Sequence, residues 1–289
     1  MKITLLFSLA WLTGNMAVAQ QVPQFFDIAK YGAVGDATTL NSAAIDKAID
    51  AANAAGGGTV YFPAGTWLAG SIHLKSNVTL YLEQGSTILA TSDPQAYDEA
   101  EPNQWDKYQD YGHSHFHNSL IWGEGLENIS ILGPGRIYGK GLTRQQNQRV
   151  GNKAISLKLC RNVIIRDISI LMGGHFGILA TGVDNMTIDN VKIDTNRDGV
   201  DIDSCRNVRI SNCTVNSPFD DGICLKADYA LGFFRNCENI TITNCQVSGF
   251  DNGTLLDGTY KRITFNKPNS AGPAGRIARR CDGFERDHA

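Results

Sequence analysis

Two segments of the chain share one pattern 23 residues apart: Asp198-Gly-Val-Asp-Ile-Asp and Asp221-Gly-Ile-Cys-Leu-Lys, the second preceded by Asp220. Laid on each other, Val200 and Ile202 meet Ile223 and Leu225, and Asp198 meets Asp221. If the segments are neighbouring strands, the carboxylates of Asp198, Asp220 and Asp221 converge on one patch. Like charges about 5 Å apart repel by under ~1 kcal/mol in water and several-fold more in a partly dry cleft. Such a cluster raises the proton affinity of at least one member. Glycoside hydrolysis needs that inequality, since one carboxyl protonates the leaving oxygen while an ionised one activates water. Coordination of Ca²⁺ is the rival use of the oxygens, and a solvated turn edge is the plain one.

Asp201 and Asp203 alternate outward on the first segment, and Asp201 is placed with the substrate-binding residues. Lys226, which closes the second segment, joins it. His175 lies 23 residues before Asp198, on the same column, and is expected to face substrate. His113, His115 and His117 alternate as metal ligands would, but their surroundings read as a loop. No metal and no cofactor is assigned.

These residues need a scaffold that repeats. Charged residue, Asn, then alternating apolar and polar positions recur from Glu127, Arg161, Asp184, Arg206 and Glu238. The anchoring asparagines are Asn128, Asn162, Asn185, Asn207 and Asn239, in steps of 34, 23, 22 and 32, and Asn77-Val-Thr-Leu is an earlier copy. A period near 22 with period-two alternation predicts an all-β, single-stranded, right-handed parallel β-helix whose turns stack about 4.8 Å apart. Asn suits left-handed turns and can pair with the turn above. The longer steps read as single turns with insertions. A β-sandwich, the alternative, does not call for Asn at a fixed phase. Residues 41–55 form an amphipathic helix with Ile45, Ala48, Ile49 and Ala52 on one stripe, stopped by Gly56-Gly-Gly, and such a helix would cap the raw end of the coil.

The formal net charge of −3, from 26 basic and 29 acidic residues, offers no basic patch for nucleic acid. Residues 1–19 read as a secretory signal, with Lys2, an apolar run and Ala17-Val-Ala. An exported protein, periplasmic or extracellular and monomeric, is expected, with no membrane segment after cleavage. Seven cysteines leave at least one thiol outside an intrachain bridge, and stacking in the core is as good a reading as bridging.

The stretch Phe26-Asp-Ile-Ala-Lys-Tyr-Gly-Ala-Val-Gly-Asp, the helix, Gly56-Gly-Gly-Thr-Val-Tyr-Phe-Pro-Ala-Gly-Thr-Trp and Leu74-Lys-Ser-Asn-Val-Thr-Leu resemble the opening of the pectin-active β-helix proteins. The likeness is to the polygalacturonases, glycoside hydrolase family 28, over residues 24–277. It implies cleavage of α-glycosidic bonds in galacturonate-containing pectic polysaccharide by single displacement with inversion. Asp220 would be the general acid, and Asp198 and Asp221 would orient and deprotonate water. The family pattern Asn-Thr-Asp-Gly appears as Asn196-Arg-Asp-Gly, with Arg197 for Thr. Its Gly-His-Gly is replaced around Asp251 and Asn252, and its Arg-Ile-Lys reads Arg276-Ile-Ala, so Arg276 alone is left for the uronate carboxylate. A calcium-dependent pectate-lyase-like elimination is an alternative, set back by the expectation that no cation stands inside the acid trio. An inactive carbohydrate-binding remnant is another. Residues 20–277 form the catalytic domain on this reading, incomplete at its C-terminal end. Residues 278–289 lose the alternation and resemble a shifted reading frame. Insertions near 92–118 and 227–237 would wall the cleft.

Overall fold

The computed structural model describes residues 24–109, 111–145, 151–195, 197–248 and 263–265. The chain winds as a coil of three parallel sheets, in which each strand pairs with its counterpart one turn on. An eight-stranded sheet runs from Phe25–Asp27 to Glu238–Thr243, and a nine-stranded sheet begins at Asp36–Leu40. The latter ends on the strand Ile263–Phe265, which pairs antiparallel with Cys245–Ser248. The third sheet has six strands: Ile72–His73, Ile121–Glu124, Lys153–Lys158, Phe176–Thr181, Asp198–Asp203 and Ile223–Lys226. This is the right-handed β-helix expected from the period.

Alternation becomes stacking inside the coil. In the third sheet Ile72, Ile121, Ile155, Ile178, Val200 and Ile223 form one inward column, residue over residue. Ile129, Val163, Met186, Val208 and Ile240 do the same in the first sheet. Burial of each such side chain contributes about 1.5–3 kcal/mol relative to exposure, and the columns hold the turns in register.

The asparagines bend the chain between sheets. Asn77, Asn128, Asn162, Asn185, Asn207 and Asn239 all have φ between 55° and 63°, the left-handed region that Asn tolerates. Each after Asn77 donates through Nδ2 to Oδ1 of the Asn one turn earlier, at 2.8 Å for Asn128 and Asn162 and 3.1–3.2 Å for the other three. The 34-residue step is a single turn, because Glu127–Leu132 pairs directly with Arg161–Arg166. The 51 residues between Asn77 and Asn128 are also one turn, since Val78–Leu82 pairs with Glu127–Leu132.

The helix α1 (Ser42–Ala54) covers the N-terminal end, with Ile45, Ala48, Ile49 and Ala52 fully buried. Gly57, at φ 129°, ends it where a Cβ would meet the Asn77 carbonyl oxygen at 2.6 Å. His73 ties this cap to the coil, with Nδ1 at 2.7 Å from Asp46 of α1 and Nε2 at 2.7 Å from Asp98. Those two carboxylates raise the imidazole pKa to about 10. Cys160, Cys205, Cys213, Cys237 and Cys245 are buried free thiols, whereas Cys224 is disulfide-bonded. No helix of the described residues is long and apolar enough to cross a membrane. The signal-like residues 1–19 and the tail 278–289 lie outside the described residues.

Candidate active site

The outer face of the third sheet carries the acids. Pairing sets Lys153 beside Phe176 and Phe176 beside Asp198. One turn further, Gly199 N–H donates to the Asp221 carbonyl at 2.8 Å. Gly199 lets these turns close up, because a Cβ there would meet the Gly222 carbonyl oxygen at 2.3 Å. Asp198, Asp220 and Asp221 do converge: one carboxylate oxygen of each lies within 4.8 Å of the other two. The Asp221 N–H points into the cluster, 3.3 Å from Asp198 Oδ1 and 3.1 Å from Asp220 Oδ1.

Their surroundings differ. Asp198 is 3% exposed, whereas Asp220 opens on a cleft. Burial pushes the Asp198 carboxyl well above the usual carboxylate range, and the negative charges of Asp201 and Asp220 add to it. Asp220 instead has Arg197 Nε 3.0 Å from Oδ2. A hydrogen bond between the Asp198 and Asp220 side chains favours the protonated form of Asp198 further. A cation does stand at the trio, contrary to the expectation from sequence, and it is the Arg that replaces Thr.

Three expected substrate contacts are placed elsewhere. Asp201 is fully buried and accepts from Lys226 Nζ at 2.8 Å, with His113 Nε2 3.2 Å from the same oxygen and in contact with the lysine. Burial would raise the Asp201 pKa, but the Lys226 charge and His113 outweigh it and hold the carboxyl low. Burial likewise opposes the Lys226 charge, and Asp201 and Asp198 more than compensate. Both residues thus pair with each other beneath the cleft. His113 arrives on α2 (Tyr111–Ser114), within the insertion that the sequence marks at 92–118. That insertion is locked to the other one, as Trp105 Nε1 donates to the Ala230 carbonyl at 2.9 Å and Gln109 to Asp228 at 2.7 Å.

His175 is fully buried as well. Burial, and then the charge of Arg197, lower its pKa to about 3, so the ring is neutral. Its Nδ1–H donates to the Arg144 carbonyl at 2.8 Å, which makes it an anchor for the segment bearing Arg144. Asp251, Asn252 and Arg276 lie outside the described residues.

Periodicity carried no signal for Arg144, Arg197 or Phe219. These three, with Gln145 and Asp220, line a cavity of about 370 Å³ beside the trio. Only Arg197 left a trace, as a departure from the family pattern.

The description "Rhamnogalacturonase A/epimerase, pectate lyase-like" matches residues 25–131, and "Right handed beta helix region" matches residues 108–230. An exo-poly-alpha-D-galacturonosidase of Dickeya chrysanthemi is 31% identical over 216 residues, covering 70% of this chain and 34% of the relative. An endo-polygalacturonase of Pectobacterium carotovorum is 24% identical over 226 residues, covering 70% of this chain and 54% of the relative. The solved family 28 exopolygalacturonase of Yersinia enterocolitica superposes with a TM-score of 0.65 at 22% identity, over 78% of this chain and 48% of that one. The chain thus spans between a third and just over half of the length of these proteins. Fold, matched families and relatives point the same way: the chain is a right-handed β-helix protein similar to the pectate-lyase-like proteins, with polygalacturonases among its relatives.

Proposed function

We propose that the protein is an exported glycosidase that cleaves α-linked galacturonate in pectic polysaccharide. The observation that carries this reading is the convergence of Asp198, Asp220 and Asp221, from two turns of the coil, in unequal environments. One dry, protonated carboxyl hydrogen-bonded to an open one is a proton store with an outlet. Asp220 lines the cleft and delivers the proton to the leaving oxygen, and Asp198 resupplies it. Asp221 is the base for water, and Asp198, once ionised, helps to orient that water.

Inversion follows if water attacks directly. The trio is compact, however: oxygens within 4.8 Å leave less room than the roughly 6.5–9.5 Å usual between inverting carboxyls. On this reading the attacking water rests on top of Asp198 and Asp221 rather than between acid and base. The anomeric form of fresh product, read by NMR, tests the point, and a retained anomer would exclude direct attack.

Arg197 favours a second reading. Arg197, 3.0 Å from Asp220, is the basic residue at the trio that an elimination would call on, provided its guanidine were neutral when it took the C5 proton, and three carboxylates would suit Ca²⁺, as in a pectate-lyase-like reaction. Reducing ends released from polygalacturonate and rhamnogalacturonan, followed with ultraviolet absorbance, separate the two. Hydrolysis releases ends without absorbance, and Asp220→Asn abolishes the release. Absorbance that disappears with chelator would favour elimination. Polymer binding with equal inertness of wild type and variant would leave only a binding protein.

A further inference from the structure

The cavity beside the trio has the makings of an anion site. Arg144 and Arg197 both line it, and Phe219, 56% exposed, forms an apolar wall. The Arg144 guanidinium lies over the Phe219 ring at 5.0 Å and, among the described residues, has no carboxylate partner. Among the described residues, the one carboxylate that pairs with Arg197 is Asp220. Both arginines rise from backbone held by buried polar groups. His175 donates to the Arg144 carbonyl, and Ser217 Oγ donates to the Arg197 carbonyl at 2.5 Å. These bonds fix the backbone from which the two guanidiniums reach the cavity, so less chain has to be ordered when a ligand binds.

We propose that Arg144 and Arg197 hold the carboxylate of the uronosyl unit adjoining the scissile bond, with its ring against Phe219. The inference rests on reading the cleft as a uronate glycosidase site, and it names the residues that choose the acid. Guanidinium forks match carboxylates in planar, charge-assisted pairs, and an aromatic wall suits the apolar face of a sugar ring. Because Asp220 lines the same cavity, the unit held there is next to the acid. A substrate carboxylate on Arg197 also draws that cation away from Asp220, which leaves Asp220 free to take the proton stored on Asp198. Substrate charge would thus arm the acid.

Arg144→Gln is the cleaner variant, since Arg144 is exposed and stands clear of the trio. Digalacturonate and its dimethyl ester, which share the sugar rings and differ in the charge and methylation of the carboxyl groups, are titrated calorimetrically into the wild type, Arg144→Gln and Arg144→Lys. Loss of one charge-assisted contact is expected to weaken digalacturonate binding by about tenfold or more. The ester should bind all three proteins alike, and Arg144→Lys should keep part of the difference. Unchanged binding of the acid, or equal losses for acid and ester, would overturn the inference. Reducing-end release by the wild type is scored separately. Arg144-dependent binding without cleavage sinks the glycosidase reading alone. Cleavage with an indifferent Arg144→Gln sinks this inference alone, and a wild type that binds neither ligand sinks both.

Discussion

Replacing Lys226 by Met leaves the fully buried Asp201 carboxylate without its cation. At 2.8 Å and an effective dielectric of about 20, the pair's gross attraction is roughly 6 kcal/mol. Desolvation consumes much of that attraction, yet removing one partner leaves an uncompensated charge. Breaking a buried pair typically costs about 3–5 kcal/mol. Lys226 is 12% exposed and Asp201 is not exposed at all, so water cannot easily take the lysine's place. For a domain of this size each kcal/mol shifts the melting temperature by about 2–4 °C, which gives a fall of about 6–20 °C by scanning calorimetry. The double variant Lys226→Met/Asp201→Asn removes both charges at similar volume and should recover most of the loss. A single-variant cost below about 1 kcal/mol, or a double variant no better than the single, would refute the buried-pair argument. The outcome also separates two roles: a substrate-binding lysine would raise KM and leave melting unchanged.

Three further outcomes follow from the same geometry. His73 has its pKa raised from 6.5 to about 10 by Asp46 and Asp98. Its contribution is therefore fully present below pH 6.5 and lost as pH rises through about 10, and a melting profile across this window should slope in wild type and flatten in His73→Gln. Asp198, raised by burial, destabilises the fold as pH climbs above 3.8 through its folded value, so Asp198→Asn should melt higher at neutral pH while losing activity. A variant that melts lower would contradict the dry, protonated carboxyl. Asn185 sits at φ 57° and joins the amide ladder on both sides. Asn185→Ala should cost about 2–4 kcal/mol in chemical denaturation, and Asn185→Gly visibly less, since glycine removes the steric part and keeps only the lost hydrogen bonds.

The coil was legible because its signal is redundant. Every turn needs a left-handed corner and two or three inward aliphatic residues, so Asn162, Asn185 and Asn207 repeat the same physical demand. The acid trio was legible for the same reason, since superposing residues 198–203 on 221–226 places Asp198 under Asp221. What periodicity could not show is what lies over the sheet. Asp201 and Lys226 alternate outward just as cleft residues would, and they are sealed only because the insertion brings His113 across the coil. His175 falls one residue off the expected column, because Phe176 is the residue that pairs with Asp198, and the Arg144 segment folds over it. Outward is a property of a strand, whereas exposed is a property of whatever packs on it, and non-periodic segments decide the second. The Arg197–Asp220 contact hid likewise, because a bend rather than a strand sets it.

The unequal steps of the coil have a broader consequence. Asn77 and Asn128 are 51 residues apart and their amides still meet at 2.8 Å, as do those of Asn128 and Asn162 across 34 residues. Strand-to-strand pairing is therefore indifferent to how much chain is spliced between turns, and the entropic cost of closing a longer loop grows only with the logarithm of its length. The walls of the cleft can then be lengthened, shortened or exchanged one at a time while the acid column stays fixed. Such a scaffold separates the inheritance of chemistry from that of specificity: the ladder transmits the first, and the splices are free to drift toward new sugars.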